Sequence, residues 1–223
     1  MKVAVLRFPG TNCEFDTQYA FEKLGHTTEL VWHKEESLPT DIDLVVVPGG
    51  FSYGDYLRSG SIARFSPVMK AVGRYAEDGG RVLGICNGFQ ILTEAGLLPG
   101  ALKRNNNLHF ISKHQTLRVE NNDNAFLNQC EKGEVLNIPI AHADGNYYID
   151  NKGLEKMEAN EQVLLRYCDT DGNRVVVNGS VTSIAGICNE KKNVFGLMPH
   201  PERALEVILG SEDGIKMLRG FEA

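Results

Sequence analysis

The sequence predicts a single α/β domain over residues 1–223, in which helices cover both faces of a mostly parallel central sheet and so form three layers. Three observations predict this class. Short β-branched runs alternate with helix-type patterns in the first half of the chain. A Gly-x-Cys-x-Gly segment joins a predicted strand to a predicted helix, which indicates a nucleophile elbow. Beyond Pro99, further strands follow one another with turn residues between them.

The first half of the chain consists of repeated strand–helix–strand units. Apolar residues with i, i+3, i+4 and i+7 spacing over residues 65–75 predict an amphipathic helix, which Gly79 and Gly80 end. Strands that are apolar throughout are typical of a parallel sheet whose ligands bind at the carboxyl ends of the strands. The other predicted elements are strands at residues 3–6, 29–32, 44–47 and 81–85, a helix at 15–24 and a helix directly after Cys86.

The second half lacks this alternation, so its strands are expected to be mixed or antiparallel and to follow without intervening helices. Asparagine-rich segments at residues 105–107 and 121–124 are typical of loops. A last helix is expected to begin near Glu202. The predicted strands of this half are residues 116–119, 163–167 and 194–198.

The composition indicates a cytoplasmic protein with a small-molecule substrate. The net charge is −6 and the lysines and arginines are scattered, which excludes an electrostatic footprint for nucleic acid or an anionic membrane. No apolar run approaches the roughly 20 residues of a membrane span, and no signal-peptide core is present. The five cysteines include no Cys-x-x-Cys pair, so neither a disulfide framework nor a zinc motif is expected.

The chain is expected to hold no cofactor and no metal. His109, His114 and His142 lack the i, i+4 spacing of helical metal ligands, which favours ordinary loop or strand histidines. The sequence contains no Gly-Lys dipeptide and therefore no phosphate-binding P-loop.

Residues 82–90 contain the candidate nucleophile, Cys86. Gly84 and Gly88 flank this cysteine at the distance that a strained strand-to-helix turn requires, because a side chain at either position would crowd the backbone. The positive end of the following helix favours a thiolate. Taken alone, the motif leaves two interpretations open, a nucleophile and a buried structural cysteine.

Residues 199–202, which read Pro-His-Pro-Glu, supply the partners that the elbow needs. His200 would be the base and Glu202 would fix its tautomer, so that with Cys86 they form a set for acyl transfer. The alternative is an ordinary helix start with Pro201 in the first turn and Glu202 complementing the helix dipole, which is compatible with catalysis.

Acyl transfer also requires N–H donors for the oxyanion of the tetrahedral intermediate. The residue after an elbow nucleophile directs its N–H to that position, which indicates Asn87. Gly50 is the second candidate, since it follows a predicted strand and adjacent glycines let backbone approach a ligand closely. A plain tight turn is the alternative for this glycine pair.

These motifs resemble the class I, or triad-type, glutamine amidotransferases, through residues 84–90 and 199–202. Three further segments narrow the resemblance to the glutaminase subunits of phosphoribosylformylglycinamidine synthases, and it then extends over essentially the whole chain. The three segments are residues 7–13, 48–55 and 178–180.

The resemblance implies hydrolysis of glutamine to glutamate and ammonia through a cysteine thioester. The ammonia would pass to a synthetase subunit that uses ATP and Mg²⁺ to convert formylglycinamide ribonucleotide to formylglycinamidine ribonucleotide in de novo purine biosynthesis. A small third subunit is also implied. The roles carried over are the triad at Cys86, His200 and Glu202, the oxyanion donors Gly50 and Asn87, and a glutamine contact at Gln90.

One loop departs from the family pattern. The family usually has His-Gly-Glu-Gly where residues 142–145 read His-Ala-Asp-Gly, in a loop that presents backbone to bound glutamine. His142 and Ala143 are therefore predicted substrate contacts. Ala143 fits without strain only if its φ is negative, and Asp144 reaches less far than glutamate. The two changed residues are expected to affect glutamine affinity or coupling to the partner rather than the chemistry.

Three alternatives compete with this assignment. A stand-alone thiol hydrolase often has histidine directly after the cysteine, where this chain has Asn87. A non-catalytic regulatory homologue would be expected to lack a member of the triad. A glutaminase of another pathway, such as guanylate, anthranilate or carbamoyl phosphate synthesis, would share the triad and differ in its partner.

Overall fold

The computed structural model describes residues 1–222 and confirms the α/β class. Within these residues, nine strands form the main sheet in the order β2-β1-β3-β4-β11-β10-β9-β6-β7, and β5 pairs with β8 separately. The strands are β1 (Lys2–Arg7), β2 (Thr27–Trp32), β3 (Leu44–Val47), β4 (Arg81–Ile85), β5 (Ala101–Lys103), β6 (Ile111–Val119), β7 (Val135–His142), β8 (Asn146–Tyr148), β9 (Val163–Tyr167), β10 (Ile184–Cys188) and β11 (Val194–Leu197).

The main sheet divides into a parallel half and an antiparallel half. All neighbouring strands from β2 to β11 are parallel. Those from β11 to β7 are antiparallel. The expected antiparallel strands of the C-terminal half are therefore present as a continuous extension of the parallel sheet.

The helices pack around this sheet. They are α1 (Glu14–Lys23), α2 (Pro67–Glu77), α3 (Asn87–Glu94), α4 (Asn151–Ala159) and α5 (Gly214–Arg219). Across residues 1–222, no helix combines the length and the apolarity that crossing a bilayer would require. The crossover through α1 moves from β1 to β2, whereas the crossover through α2 moves from β3 to β4 in the opposite direction along the sheet. Right-handed crossovers in opposite directions place their helices on opposite faces.

The same reversal of direction creates the ligand crevice. Because the chain moves to opposite sides from β1 and β3, their carboxyl ends separate at the position where α/β sheets bind ligands. Burial explains why these strands form there, since all four residues of β3 and residues 3–6 of β1 have no exposed surface. Such strands are stable only in the middle of a sheet that is covered on both faces.

Two predictions for the second half were wrong. Helix α4 lies between β8 and β9, where no helix was expected; Met157 is its only fully buried residue, so its apolar stripe is too narrow to recognise. Asp150 caps its first turn by accepting from the Gly153 N–H at 2.7 Å.

The last helix begins at Gly214 rather than near Glu202. A short 3-10 turn, Pro201–Arg203, follows His200 instead, and Ala204 ends it with φ −125° and ψ 57°.

Candidate active site

Four loops meet at the carboxyl ends of four neighbouring strands, β1, β3, β4 and β11. These loops carry Cys13, the Gly49-Gly50 pair, Cys86 and His200. They enclose a cavity of about 120 Å³. Its lining is formed by Asn12, Cys13, Gly50, Phe51, Cys86, Phe110, Ala141, His200 and Arg203. The sheet order thus brings together residues that are far apart in the sequence.

Cys86 has the strained backbone of a nucleophile elbow. Its φ is +51° and its ψ is −105°, directly before the first residue of α3. The Cys86 N–H still bonds to the Leu197 carbonyl at 2.8 Å, while the Cys86 carbonyl accepts from the Gln90 N–H at 3.1 Å. Cys86 therefore continues the hydrogen bonding of β4 with β11 and is also the N-cap residue of α3. A non-glycine residue with positive φ is costly, and such strain is typical of functional sites.

Gly84 and Gly88 let the elbow pack against its neighbours, as predicted. A Cβ at Gly88 would lie 1.8 Å from the Val47 carbonyl oxygen, and a Cβ at Gly84 would lie 2.8 Å from the Gly88 backbone. Neither contact can relax by rotation of a flexible side chain, since the obstructing atoms are backbone. Gly88 permits the close approach of α3 to β3, and Gly84 permits the close approach of α3 to β4.

Replacing Gly88 with alanine is expected to destabilise the fold by about 3 kcal/mol, because α3 must move away from β3. Urea denaturation measures the free energy of unfolding. Gly73→Ala is the matched control, because a Cβ at Gly73, in the middle of α2, meets nothing within 4 Å. That control should stabilise by roughly 0.5–1 kcal/mol. Equal effects of the two substitutions would show that the elbow tolerates a side chain.

His200 and Glu202 form a buried hydrogen-bonded pair. The Nδ1–H of His200 donates to Oε1 of Glu202 at 2.6 Å, and both residues are 2% exposed. The carboxylate thereby fixes the tautomer that leaves Nε2 available as a base. Nε2 is buried and has no hydrogen-bond partner. The sequence prediction that these two residues address the same site as Cys86 agrees with this geometry.

The charges around His200 favour its protonated form. Burial alone lowers its pKa, but the Glu202 carboxylate and the thiols of Cys86 and Cys13 together raise the pKa well above the usual value. An imidazole with these neighbours can hold a proton taken from Cys86. The Cys86 Sγ lies 3.7 Å from the carbonyl oxygen of Ala141, which also lines the cavity.

The two predicted oxyanion donors lie after the carboxyl ends of neighbouring strands, Gly50 after β3 and Asn87 after β4. Asn87 is the first residue of α3, so its N–H belongs to the helix turn that has no internal acceptor. Gly50 lines the cavity with a φ of +146°, and a Cβ there would lie 2.7 Å from the Thr11 Cα. Only glycine fits this position. The assignment of the two N–H groups to an oxyanion stays a prediction.

Gln90 bridges the elbow helix and the loop of residues 142–145. Its Nε2 donates to the Asp144 carbonyl at 2.7 Å, and its Oε1 accepts from Asn87 Nδ2 at 2.8 Å. Asn87 in turn accepts from the Ser52 N–H at 3.0 Å. The side chain of Gln90 is therefore held by the protein on both ends. A direct contact with glutamine stays a prediction.

Asn105 organises the loop that contains His142 and Ala143. Its N–H donates to the Ala143 carbonyl at 2.8 Å, and its Oδ1 accepts from the Gly145 N–H at 3.0 Å. Its Nδ2 donates to the His142 carbonyl at 2.9 Å. Ala143 does not have a positive φ, so the departure from glycine causes no backbone strain. His142 directs its ring toward Asn105 within the protein.

Lowering the pH from 6.5 to 4 is expected to remove stability that depends on neutral His142. Burial, with the nearby charge of His200, lowers the pKa of His142 to about 4. In this range the unfolded chain binds a proton that the folded chain does not, so the free energy of unfolding falls by about 3 kcal/mol. Denaturation at several pH values should show a flatter profile for His142→Asn. The exposed His109, changed to Asn, should keep the wild-type slope.

Cys13, Arg203 and Asp55 were missed at the sequence level. Cys13 Sγ accepts from Arg203 Nη2 at 3.1 Å, and Asp16 Oδ2 holds the Arg203 guanidinium at 2.9 Å. Burial raises the pKa of Asp55, which accepts from Asn87 Nδ2, to about 6. Cys13 lies within residues 7–13, a segment that contributed only to the resemblance. No local pattern marks it as a neighbour of His200.

A cysteine elbow at the end of a parallel strand, with a buried histidine–glutamate pair beside it, defines a triad-type glutamine amidotransferase. Residues 1–213 match the CobB/CobQ-like glutamine amidotransferase domain family. The subunit PurQ of phosphoribosylformylglycinamidine synthase from Sulfurimonas denitrificans is 69% identical, with 99% of each chain covered. The PurQ subunit from Wolinella succinogenes is 65% identical, again with 99% of each chain covered.

A solved structure is also similar to this chain over nearly its whole length. The structure of PurLQS from Thermotoga maritima matches with a TM-score of 0.89 and 45% identity, and the match covers 99% of this chain and 97% of that one. The chain therefore belongs to the PurQ family of phosphoribosylformylglycinamidine synthase subunits.

Proposed function

We propose that the chain hydrolyses glutamine at Cys86 and supplies the ammonia to a synthetase that forms formylglycinamidine ribonucleotide in de novo purine biosynthesis. The observation that carries the chemistry is the buried His200–Glu202 pair at 2.6 Å, with its free Nε2 in the cavity of Cys86. Cys86 and His200 line one cavity and Glu202 bonds to His200, which is the arrangement that a catalytic triad requires. This supports an enzyme rather than a regulatory homologue.

The reaction follows from the positions of these groups. Cys86 Sγ attacks the side-chain amide carbon of glutamine, and His200 Nε2 takes the thiol proton. The oxygen of the tetrahedral intermediate accepts hydrogen bonds from the N–H groups of Gly50 and Asn87. The intermediate collapses by breaking the C–N bond, and His200 returns the proton to the departing ammonia. Water, deprotonated by His200, then attacks the thioester to give glutamate and restore the Cys86 thiol.

Glutamine itself would lie over the start of α3 with its polar end toward residues 142–145. Gln90 and Asn105 fix this loop from two sides through the Asp144 and Ala143 carbonyls. We assign substrate contacts to Gln90 and to the loop backbone at His142 and Ala143. Asp144 accepts from the Ser59 hydroxyl at 2.8 Å, so its shorter side chain ties this loop to the segment after β3.

The partner is a synthetase that binds ATP and Mg²⁺, and this chain needs no cofactor of its own. The Thermotoga maritima relative was solved as PurLQS, which supports a synthetase partner, and a small third subunit stays part of the proposal. Exposed apolar side chains near the cavity also support docking at this end: Phe51 is 47% exposed and Phe110 is 51% exposed. Such residues are typical of interaction surfaces when they are grouped.

Reconstitution with the synthetase of the same organism tests the proposal. Glutamine, ATP, Mg²⁺ and formylglycinamide ribonucleotide should give the amidine product only when both proteins are present. Ammonium salts should replace both glutamine and this chain. If glutamate forms but the product does not, the pathway assignment is wrong and the glutaminase chemistry stands. If neither forms in the reconstituted complex, the function as a whole is wrong.

A further inference from the structure

The side chain of Asn87 joins the start of helix α3 to the loop after β3. Asn87 is 1% exposed, and its Oδ1 accepts from the Ser52 N–H at 3.0 Å. Its Nδ2 donates to Gln90 Oε1 at 2.8 Å and to Asp55 Oδ1 at 3.3 Å. Capping of α3 does not explain these bonds, because Cys86 is the N-cap residue. The carboxamide therefore connects two segments that are separate in the sequence.

The loop after β3 has a backbone that needs support from its surroundings. Tyr53 and Asp55 have φ values of +53° and +54°. Non-glycine residues with positive φ are costly and persist only where the surrounding structure imposes the conformation. The loop after β1 supports one side, since the Phe51 N–H donates to the Gly10 carbonyl at 2.9 Å. The Asn87 carboxamide supports the loop from the side of α3.

The bond to Ser52 acts close to Gly50, whose N–H is the second candidate oxyanion donor. Ser52 follows Gly50 by two residues, so their Cα atoms are at most roughly 7 Å apart. Gly50 also forms a β-bridge with Thr11, and a Cβ at Gly50 would lie 2.7 Å from the Thr11 Cα. The position of Gly50 therefore depends on the loop after β1 and on the Asn87 side chain.

Two N–H groups stabilise an oxyanion only if both point at the same oxygen atom. Each donor has to lie within about 3.1 Å of that oxygen, and a displacement of about 1 Å can slow a reaction about 100-fold. The Asn87 N–H belongs to the elbow, whereas the Gly50 N–H belongs to the loop after β3. A contact between these two segments is needed to fix the separation of the donors. The bond from Ser52 to the Asn87 carboxamide is such a contact.

We propose that the Asn87 carboxamide is a positioning group, which holds the Gly50 N–H at the separation from the Asn87 N–H that an oxyanion requires. One residue thus supplies one donor through its backbone and orients the other through its side chain. The inference rests on the proposed function, since the oxyanion forms only when a substrate carbonyl reacts with Cys86. Loss of the carboxamide should weaken stabilisation of the oxyanion more than binding of the amino-acid part of glutamine. Gln90 would still be held through its bond to the Asp144 carbonyl at 2.7 Å.

Two ligands separate these effects. Glutamate γ-semialdehyde, the aldehyde analogue of glutamine, forms a C–S bond with Cys86; the π electrons of its carbonyl move to the oxygen, and the thiol proton goes to His200. Norvaline has the same amino-acid part with a methyl group in place of the amide, so it forms neither an adduct nor an oxyanion. Both dissociation constants can be measured in the complex with the synthetase, from protection of Cys86 against iodoacetamide. Mass spectrometry of the Cys86 peptide reads the protection without any turnover.

Asn87→Ala is expected to weaken binding of the aldehyde about 100-fold and binding of norvaline by less than about threefold. Asn193→Ala is the matched control. Asn193 is 8% exposed, its carboxamide also makes three hydrogen bonds, and it directly precedes β11, at the end of the parallel strands opposite to the elbow. Its loss should destabilise the fold in a similar way and leave the ratio of the two affinities unchanged.

Turnover of glutamine by the same complex gives a second measurement. In Asn87→Ala, kcat for glutamate formation should fall about 100-fold while KM changes by less than about threefold, because the interaction is made in the transition state. Asn87→Ser also lacks the carboxamide and replaces the alanine variant if that variant does not fold.

Three results would overturn the proposal. An equal loss of affinity for the aldehyde and for norvaline would show that the Asn87 side chain only shapes the substrate site. Unchanged affinities in a folded variant would show that the Gly50 N–H is held without it. A wild-type complex in which glutamine gives no glutamate and the aldehyde does not react with Cys86 would contradict the proposed function itself, and the positioning role with it.

Discussion

Cys86→Ala is expected to abolish glutamine-dependent synthesis by the complex while ammonium-dependent synthesis continues. The substitution removes the sulfur that forms the thioester and leaves the synthetase unchanged, so only the ammonia supply is lost. The rate with glutamine should fall on the order of 10⁴-fold or more, as in other enzymes that lose their nucleophile. The ratio of the glutamine-dependent to the ammonium-dependent rate in the same preparation measures the effect.

One control variant separates chemistry from damage to the fold. Cys130→Ala changes a buried cysteine that does not line the cavity, and it should keep the wild-type ratio. Alanine at residue 86 is expected to keep the φ of +51°, since the elbow between β4 and α3 imposes it. Glutamine-dependent synthesis that persists in Cys86→Ala would show that another group attacks the amide.

The second large effect is expected at His200, with a smaller one at Glu202. His200→Ala should slow formation of the thioester on the order of 10⁴-fold or more, because no other group can take the Cys86 proton. Glu202→Gln should cost about 10- to 100-fold less than His200→Ala, since the amide can still bond to Nδ1 although it no longer stabilises the imidazolium. Rapid-quench measurement of the acyl-enzyme isolates this step from product release.

The test is the difference between the two variants in the rate of thioester formation. Nearly equal losses would mean that Glu202 does more than orient the base, and negligible losses would contradict the triad. His109→Ala is the control for a general effect of removing an imidazole, because His109 is exposed and lies outside the cavity. Its rate of thioester formation should equal that of the wild type.

Local patterns predicted the parallel half of the fold and the centre of the site. Strands β3 and β4 were predicted with their observed limits, because buried central strands have continuous apolar sequences that turn residues interrupt. The elbow was recognisable because steric crowding by backbone atoms requires glycine at residues 84 and 88. Cys86, His200 and Glu202 could be proposed as a triad because each lies in a short motif, and the structure brings the three side chains together.

The remaining part of the site depends on which strands are neighbours. Cys13 contacts Arg203 although the two are 190 positions apart, and the contact exists because β1 and β11 belong to the same parallel half. Asn105 lies in a segment that was predicted to be only a loop, yet it organises residues 142–145. Periodicity in the sequence describes one element at a time and does not contain the order of strands. Helix α4 was missed for a different reason, its narrow apolar face.

The pairing of β4 with β11 fixes where the loops of Cys86 and His200 begin. Ile85 stands opposite Leu197 in register, and the Cys86 N–H bonds to the Leu197 carbonyl at 2.8 Å. A slip of one residue in this pairing would displace the His200 loop relative to Cys86, and it would also turn the buried side chains of β11 to the other face of the sheet.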